Sequence, residues 1–168
     1  MTGKSITLVK DKKKLLPIIA DDKVFVLSPV RSMISGVDGS LTSCDFAKMF
    51  ADKFACDYKS FDDVANLSDD EIDNLLCRCK NADKVVVGLY NATIQINQQQ
   101  LLQKIVEVNR NIITVALRIP YDAELLYCDV STAICLYDYT NEVANILINA
   151  MLENFNFTGK LPVALDLV

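Results

Sequence analysis

Apolar residues along this chain gather in short, almost unbroken runs separated by stretches of helical period. The runs are Lys23–Ser28 (KVFVLS), Lys84–Leu89 (KVVVGL), Asn111–Leu117 (NIITVAL) and Ala133–Tyr137 (AICLY). Continuous runs of this length predict strands covered on both faces, as in a parallel sheet. Ser5–Lys10 alternates and predicts a further short strand, and Cys56–Ser60 a weaker one. Between the runs, apolar residues recur at helical spacing. Phe46, Met49, Phe50 and Phe54 form one stripe, expected to start from a cap at Thr42 or Ser43. Ile72, Leu75, Leu76 and Cys79 form a second, behind Ser68-Asp-Asp-Glu71 with capping-box spacing. Leu101, Leu102, Ile105 and Val106 form a third within Gln98–Val108. Val143, Ile146, Leu147, Ala150 and Met151 form a fourth, capped by Thr140. Tyr121–Tyr127 reads as a short helix, and residues 29–41 read as a long polar loop. Strands alternating with helices mean β-α-β crossovers and a mainly parallel sheet between two helical layers. Residues 1–168 are read as one domain, with 1–20 a lead-in and 21–168 the α/β body.

Composition narrows the function classes. Apolar residues make up 51% of the 168-residue chain and charged residues 23%, the balance of a globular domain. The net charge of −5 and sequence pI of 4.7 disfavour nucleic-acid phosphates and anionic lipid as partners. No apolar stretch approaches the ~20 residues of a membrane span. The amino-terminal Met-Thr-Gly-Lys leads into a strand without a signal-peptide core, so the expectation for the chain as given is cytoplasmic, with an exported parent left open. The six cysteines (Cys44, Cys56, Cys77, Cys79, Cys128 and Cys135) read as reduced, structural residues. No histidine is present to complete a mixed zinc site, and neither a metal nor a cofactor is expected. The glycines of residues 29–41 match neither a dinucleotide fingerprint nor a Walker loop.

The chemistry-bearing residues follow the strands. Asn111–Asp122 (NIITVALRIPYD) is central: Pro120 stops its strand and delivers Arg118, Tyr121 and Asp122 together. Ser28, Arg31, Tyr90, Asn91, Tyr137 and Tyr139 follow other strands. In an open parallel sheet these carboxyl ends share one edge, where ligands and partners bind. Tyrosines there suit a protein interface or a sugar-lined cleft; equally, they could cap the core. Asp38, Asp122 and Asp138 are the acids of this edge. A carboxylate pair can run glycoside hydrolysis, but Asp122 beside Arg118 and Tyr121 reads first as a residue that orders its own loop. No self-contained catalytic constellation is visible, since the usual triads need histidine.

Five stretches in order carry a resemblance: SITLVK with Leu15-Leu16-Pro17, VVVGLYNA (Val85–Ala92), ALRIPYD (Ala116–Asp122), YDYT (Tyr137–Thr140) and TGKLPV (Thr158–Val163). Together they resemble the carboxy-terminal domain of family-three glycoside hydrolases, nearest the β-N-acetylglucosaminidase (β-hexosaminidase) branch. Residues 29–80 carry little of it. The resemblance implies a three-layer α/β/α sandwich with a mainly parallel, flavodoxin-like sheet. It also implies a partner in cis, an N-terminal (β/α) barrel that binds N-acetylglucosamine-containing sugars and carries the nucleophilic aspartate. In that branch the acid/base is a His–Asp pair of the barrel; in the β-glucosidase-like branch a glutamate of the second domain supplies the acid. Glu71, Glu107, Glu124, Glu142 and Glu153 all fall in or beside expected helices, so none reads as such a loop-borne acid. The chain is too short to hold a barrel as well, and the expectation is an accessory domain without glycosidase activity of its own. The alternatives are a stand-alone carbohydrate- or small-ligand-binding module on the same edge, and a receiver-type domain. Asp21-Asp22 precedes its strand, which argues against the receiver. Self-association of the isolated domain is a further expectation, because a domain parted from its partner exposes an apolar face.

Overall fold

The computed structural model describes residues 6–34, 39, 41–153 and 157–167. Among these are seven strands: β1 (Thr7–Asp11), β2 (Val24–Ile34), β3 (Leu41–Asp45), β4 (Asp57–Phe61), β5 (Lys84–Leu89), β6 (Ile112–Ala116) and β7 (Thr132–Cys135). Four α-helices join them: α1 (Phe46–Phe54), α2 (Asp69–Asn81), α3 (Ile96–Val108) and α4 (Asn141–Leu152). Strands β4, β2, β5, β6 and β7 lie side by side and parallel, and β1 pairs antiparallel with β7 at the far edge. The strand order reverses between β2 and β5. One chain direction leads from β2 through α1 out to β4, and the other leads from β5 to β6 and β7.

The period-two pleat splits the apolar runs between two cores. Val24, Val26, Val86, Ile113, Val115 and Ile134 face α1 and α4. Phe25, Leu27, Val85, Val87, Leu89 and Ile112 face α2 and α3. Both faces of the sheet are thus covered, which is why its strands read as continuous apolar runs. The expected α/β/α sandwich is the observed one. Between β6 and β7 no α-helix intervenes. A 3₁₀ turn, Pro120–Glu124, sits there, its Ala123 clustered with the small residues Ala116, Ala133 and Cys135. It replaces the longer helix expected over Tyr121–Tyr127.

Two expectations are corrected. The expected long loop is in part a hairpin: β2 continues to Ile34 and pairs antiparallel with β3 from Val30↔Asp45 to Ile34↔Leu41. Pro29, which has no N–H, marks the point where β2 leaves the parallel ladder and enters this ribbon. Arg31 and Ser32 are exposed there, so the ribbon lacks the apolar alternation that would have revealed it. The cap of α1 is Asp45, whose carboxylate accepts from the Lys48 N–H at 3.1 Å; Thr42 and Ser43 lie in β3. Within the lead-in, β1 is a sheet strand, as its alternation predicts, and Leu15 and Ile18 are buried in the core. The capping box at Ser68 and Glu71 and the Thr140 cap form as read.

Candidate functional site

The start of α1 shows how the edge is built. A helix leaves its first amides without intrahelical partners. Here three side chains, from β2, the end of β3 and the segment after β7, take them. The Tyr139 hydroxyl accepts from the Phe46 N–H at 2.9 Å, Ser28 Oγ from the Ala47 N–H at 2.9 Å, and Asp45 from Lys48. Tyr139 in turn donates to the Pro29 carbonyl at 2.8 Å. Ser28 is fully buried inside β2 rather than displayed on the edge, and the Tyr139 hydroxyl is committed to this network. Burial pushes the Tyr139 hydroxyl well above the ordinary phenol range.

Beyond that network the edge opens. Arg31, Tyr90, Arg118, Tyr137, Asp138 and Tyr139 line a cleft of about 160 Å³. Tyr90 stands at its centre, its side chain almost wholly buried. Arg118 Nη1 donates to the Tyr90 hydroxyl at 2.6 Å, and the Arg31 guanidinium carbon lies 5.0 Å from the Tyr90 ring centroid. The Tyr139 ring packs obliquely on Tyr90, 6.0 Å between centroids. Gln98 fixes the Tyr90 peptide from below. Its amide oxygen accepts from the Tyr90 N–H at 3.2 Å, and its amide nitrogen donates to the Tyr90 carbonyl at 3.0 Å. Two non-glycine residues adopt left-handed backbone at these strand ends, Asn91 with φ 51° after β5 and Tyr137 with φ 68° after β7. Such strain collects where a structure positions functional groups. The Tyr137 hydroxyl is tied back to Thr7 Oγ1 at 2.8 Å.

The remaining predicted residues lie elsewhere on the edge. Asp122 is fully buried. One of its oxygens accepts from the Thr93 N–H at 2.9 Å and the Thr93 hydroxyl at 2.7 Å, while the other has no partner among the described residues. The residue thus staples two loops, its own and the 3₁₀ turn Ala92–Ile94 after β5. It is sealed from any substrate. Beside it Tyr121 is 43% exposed, and Ile94 and Ile96 are 79% and 62% exposed. The Asp122–Thr93 pair joins the two turns that carry Ile94 and Tyr121.

Ile94, Ile96 and Gln98 escaped sequence reasoning. Two isoleucines inside an otherwise polar ATIQINQQQ segment were the available signal. Gln98 offered none, because a buried glutamine in a glutamine run looks like surface. Asp38 lies outside the described residues. None of the five glutamates lines the cleft. Glu71 closes its capping box, and Glu124 accepts from the Asp166 N–H at 2.8 Å. Among the described residues no group of three acidic, cysteine or histidine side chains could hold a metal ion. The same residues include no helix long and apolar enough to cross a membrane. Cys44, Cys79 and Cys135 are buried in the core, and burial pushes their thiols up to about 12.

No protein-family model and no curated protein sequence matches the chain. Solved structures do. A fungal multi-domain GH3 β-N-acetylglucosaminidase carrying a GCN5-related glucosamine N-acetyltransferase region superposes with TM-score 0.74 at 19% identity, covering 97% of this chain and 18% of that one. The family 3 β-N-acetylglucosaminidase of Paenibacillus sp. str. FPU-7 gives 0.74 at 22% identity, covering 98% and 31%. The β-glucosidase of Listeria innocua, in complex with isofagomine, gives 0.69 at 16%, covering 90% and 24%. The fold is that of the C-terminal domain of family-three glycoside hydrolases. The chain spans between about a fifth and a third of the length of these enzymes. The sandwich with its carboxyl edge is therefore a recurrent part of larger glycosidases.

Proposed function

We propose that this chain is the non-catalytic accessory domain of a family-three glycoside hydrolase, of the β-N-acetylglucosaminidase type, and that its carboxyl edge packs on and stabilises the (β/α) barrel carrying the catalytic residues. One observation carries the reading: nearly the whole chain superposes on two β-N-acetylglucosaminidases of which it spans only 18% and 31%. The ordered motifs, ALRIPYD above all, point to the same branch. The lack of a glutamate in the cleft supports a division of labour in which the barrel holds the acid and base. A lone domain lacking one half of a double-displacement pair has no route to turnover.

The exposed side chains of Ile94, Ile96 and Tyr121 supply the contact. Burying side chains of this size contributes on the order of 1.5–3 kcal/mol each. That is ample for a partner in the same chain, where the effective concentration of a short tether is roughly millimolar. The test is to assay the full natural translation product and residues 1–168 side by side on an aryl N-acetyl-β-glucosaminide. The full product should contain a barrel and turn over, and the isolated domain should not. Turnover by residues 1–168 alone, or a full product with no second domain, would overturn the reading.

A further inference from the structure

We infer that Arg31 and Arg118 form, around Tyr90, a binding site for the oxyanion group (carboxylate or phosphate) of a small polar ligand. Three independent features meet there. The first is position. Arg31 belongs to β2 and Tyr90 follows β5, the two strands between which the sheet order reverses, and crevices at such a switch point are where open α/β sheets bind ligands. The second is charge. Both guanidiniums are exposed, and neither has a carboxylate within ion-pair distance among the described residues. Both meet Tyr90 instead: Arg118 donates a hydrogen bond to its hydroxyl, and Arg31 approaches its ring face. A guanidinium has five donors in a fixed fork, so Arg118 keeps most of its donors for a ligand. Among the described residues Asp138 is the one carboxylate lining the cleft, and these residues set two positive charges against one negative in a chain whose net charge is −5. A local positive cleft on an acidic protein concentrates anions.

The third feature is shape. The cleft, about 160 Å³, adjoins a hollow of about 210 Å³ that shares Arg31 and Tyr139 and adds Thr140 and Asn141. Each is below the ~300–1,000 Å³ of drug-sized pockets, so the ligand is small. Hydroxyl and amide groups beside two guanidiniums suit a molecule with one anionic end and a polar body, such as a sugar acid or a sugar phosphate. The cleft is built by this chain alone, so the inference does not depend on the accessory-domain reading.

The probes are glucuronate, glucose 6-phosphate and glucose, titrated into the 168-residue chain by calorimetry and by melting temperature at low and high salt. Saturable binding of glucuronate, of the phosphate, or of both is expected, and the stronger of the two identifies the oxyanion. Glucose should not saturate. Arg31→Ala and Arg118→Ala should each weaken binding about tenfold, the loss of one charge-assisted contact, whereas Lys13→Ala should leave it unchanged. Both arginines are exposed; should Arg118→Ala lose its fold, Arg118→Lys provides the same comparison with the charge kept and the fork removed. Near-ultraviolet tyrosine absorbance should shift on binding and fail to shift in Tyr90→Phe. Glucose binding as tightly as the acids, no saturable response to either anion, or unaltered binding in the double arginine variant would each overturn the inference. None of these outcomes bears on the hydrolysis assay, so the two proposals fail separately.

Discussion

Asp122 holds Thr93 by two hydrogen bonds to a single carboxylate oxygen, 2.9 Å from the backbone N–H and 2.7 Å from the hydroxyl. Two loops that are 29 residues apart in sequence are locked by this one atom. Asp122→Ala should cost about 1–2 kcal/mol: two hydrogen bonds are lost at ~0.5–1.5 each, and water reaching the exposed Thr93 restores part of that. The urea midpoint should fall with an unchanged slope, and the Thr93 amide should exchange faster than the sheet amides. If the accessory-domain reading holds, the same change loosens Ile94 and Tyr121 and weakens packing on the barrel.

Gly88 on β5 lies against Ser28 on β2. A Cβ at Gly88 would stand 2.7 Å from Ser28 Cβ and 3.1 Å from Leu117 Cδ1. Neither neighbour has room to move, since both are fully buried. Gly88→Ala should therefore destabilise by roughly 1–3 kcal/mol through overpacking. Ser28→Ala removes the acceptor of the Ala47 N–H, at a cost of about 1–2 kcal/mol. Made together, the two changes should cost no less than Gly88→Ala alone, because alanine keeps the obstructing Cβ at position 28. Equilibrium unfolding of the three variants checks this.

The parallel core was legible because every central strand is covered on both faces and therefore writes itself as an apolar run. The helices were legible from their stripes, and the Ser68 and Thr140 caps from their spacing. The β2–β3 ribbon was not. Its stability comes from pairing with a strand distant in pattern, while Arg31, Ser32, Thr42 and Ser43 look like loop. The edge was half legible. Sequence places Arg31, Tyr90, Arg118 and Tyr137 after strands, and the structure brings them into one cleft. Ser28 and Asp122 obey the same rule yet point inward, because amides of α1 and of the Ala92–Ile94 turn require acceptors. Strand-end position alone cannot separate a displayed polar residue from one consumed by a cap.

The six thiols should separate into classes. Cys77 and Cys128 are exposed, Cys56 is half-buried with its thiol pushed up to about 11, and Cys44, Cys79 and Cys135 are buried at about 12. The thiolate is the reactive form. A thiol reagent at neutral pH should label Cys77 and Cys128 quickly and Cys56 slowly. The other three should react only at the rate of unfolding. Mass spectrometry of time points checks the order, and early labelling of Cys79 or Cys135 would contradict the burial.

Asp22 and Lys84 form a well-shielded ion pair, 2.6 Å between charged atoms. Burial alone would raise the Asp22 carboxyl, but the bonds from the Lys84 ammonium and the Ile19 amide hold it below its usual range. A carboxyl lowered on folding contributes stability that is present above its unfolded pKa of about 3.9 and is lost as pH falls through its folded value. Asp22→Asn should thus be less stable than the parent by about 2 kcal/mol at neutral pH. The gap should narrow as pH falls below that of an ordinary carboxyl. Denaturation at a series of acidic pH values measures it.

Tyr139 carries the opposite sign. Its hydroxyl must stay protonated to donate to the Pro29 carbonyl, and burial raises it. A phenol raised on folding contributes stability that is complete below its unfolded pKa of about 10 and drains away as pH climbs beyond it. Tyr139→Phe strips a donor from Pro29 and an acceptor from the Phe46 N–H, both buried, at a cost of about 2 kcal/mol at neutral pH. Above pH ~10 the parent begins to lose what the variant has already lost, so their stabilities should converge. Spectrophotometric titration should show Tyr139 ionising only as the protein unfolds. A parent–variant gap that stayed constant through the alkaline range would mean that the α1 cap does not depend on this proton.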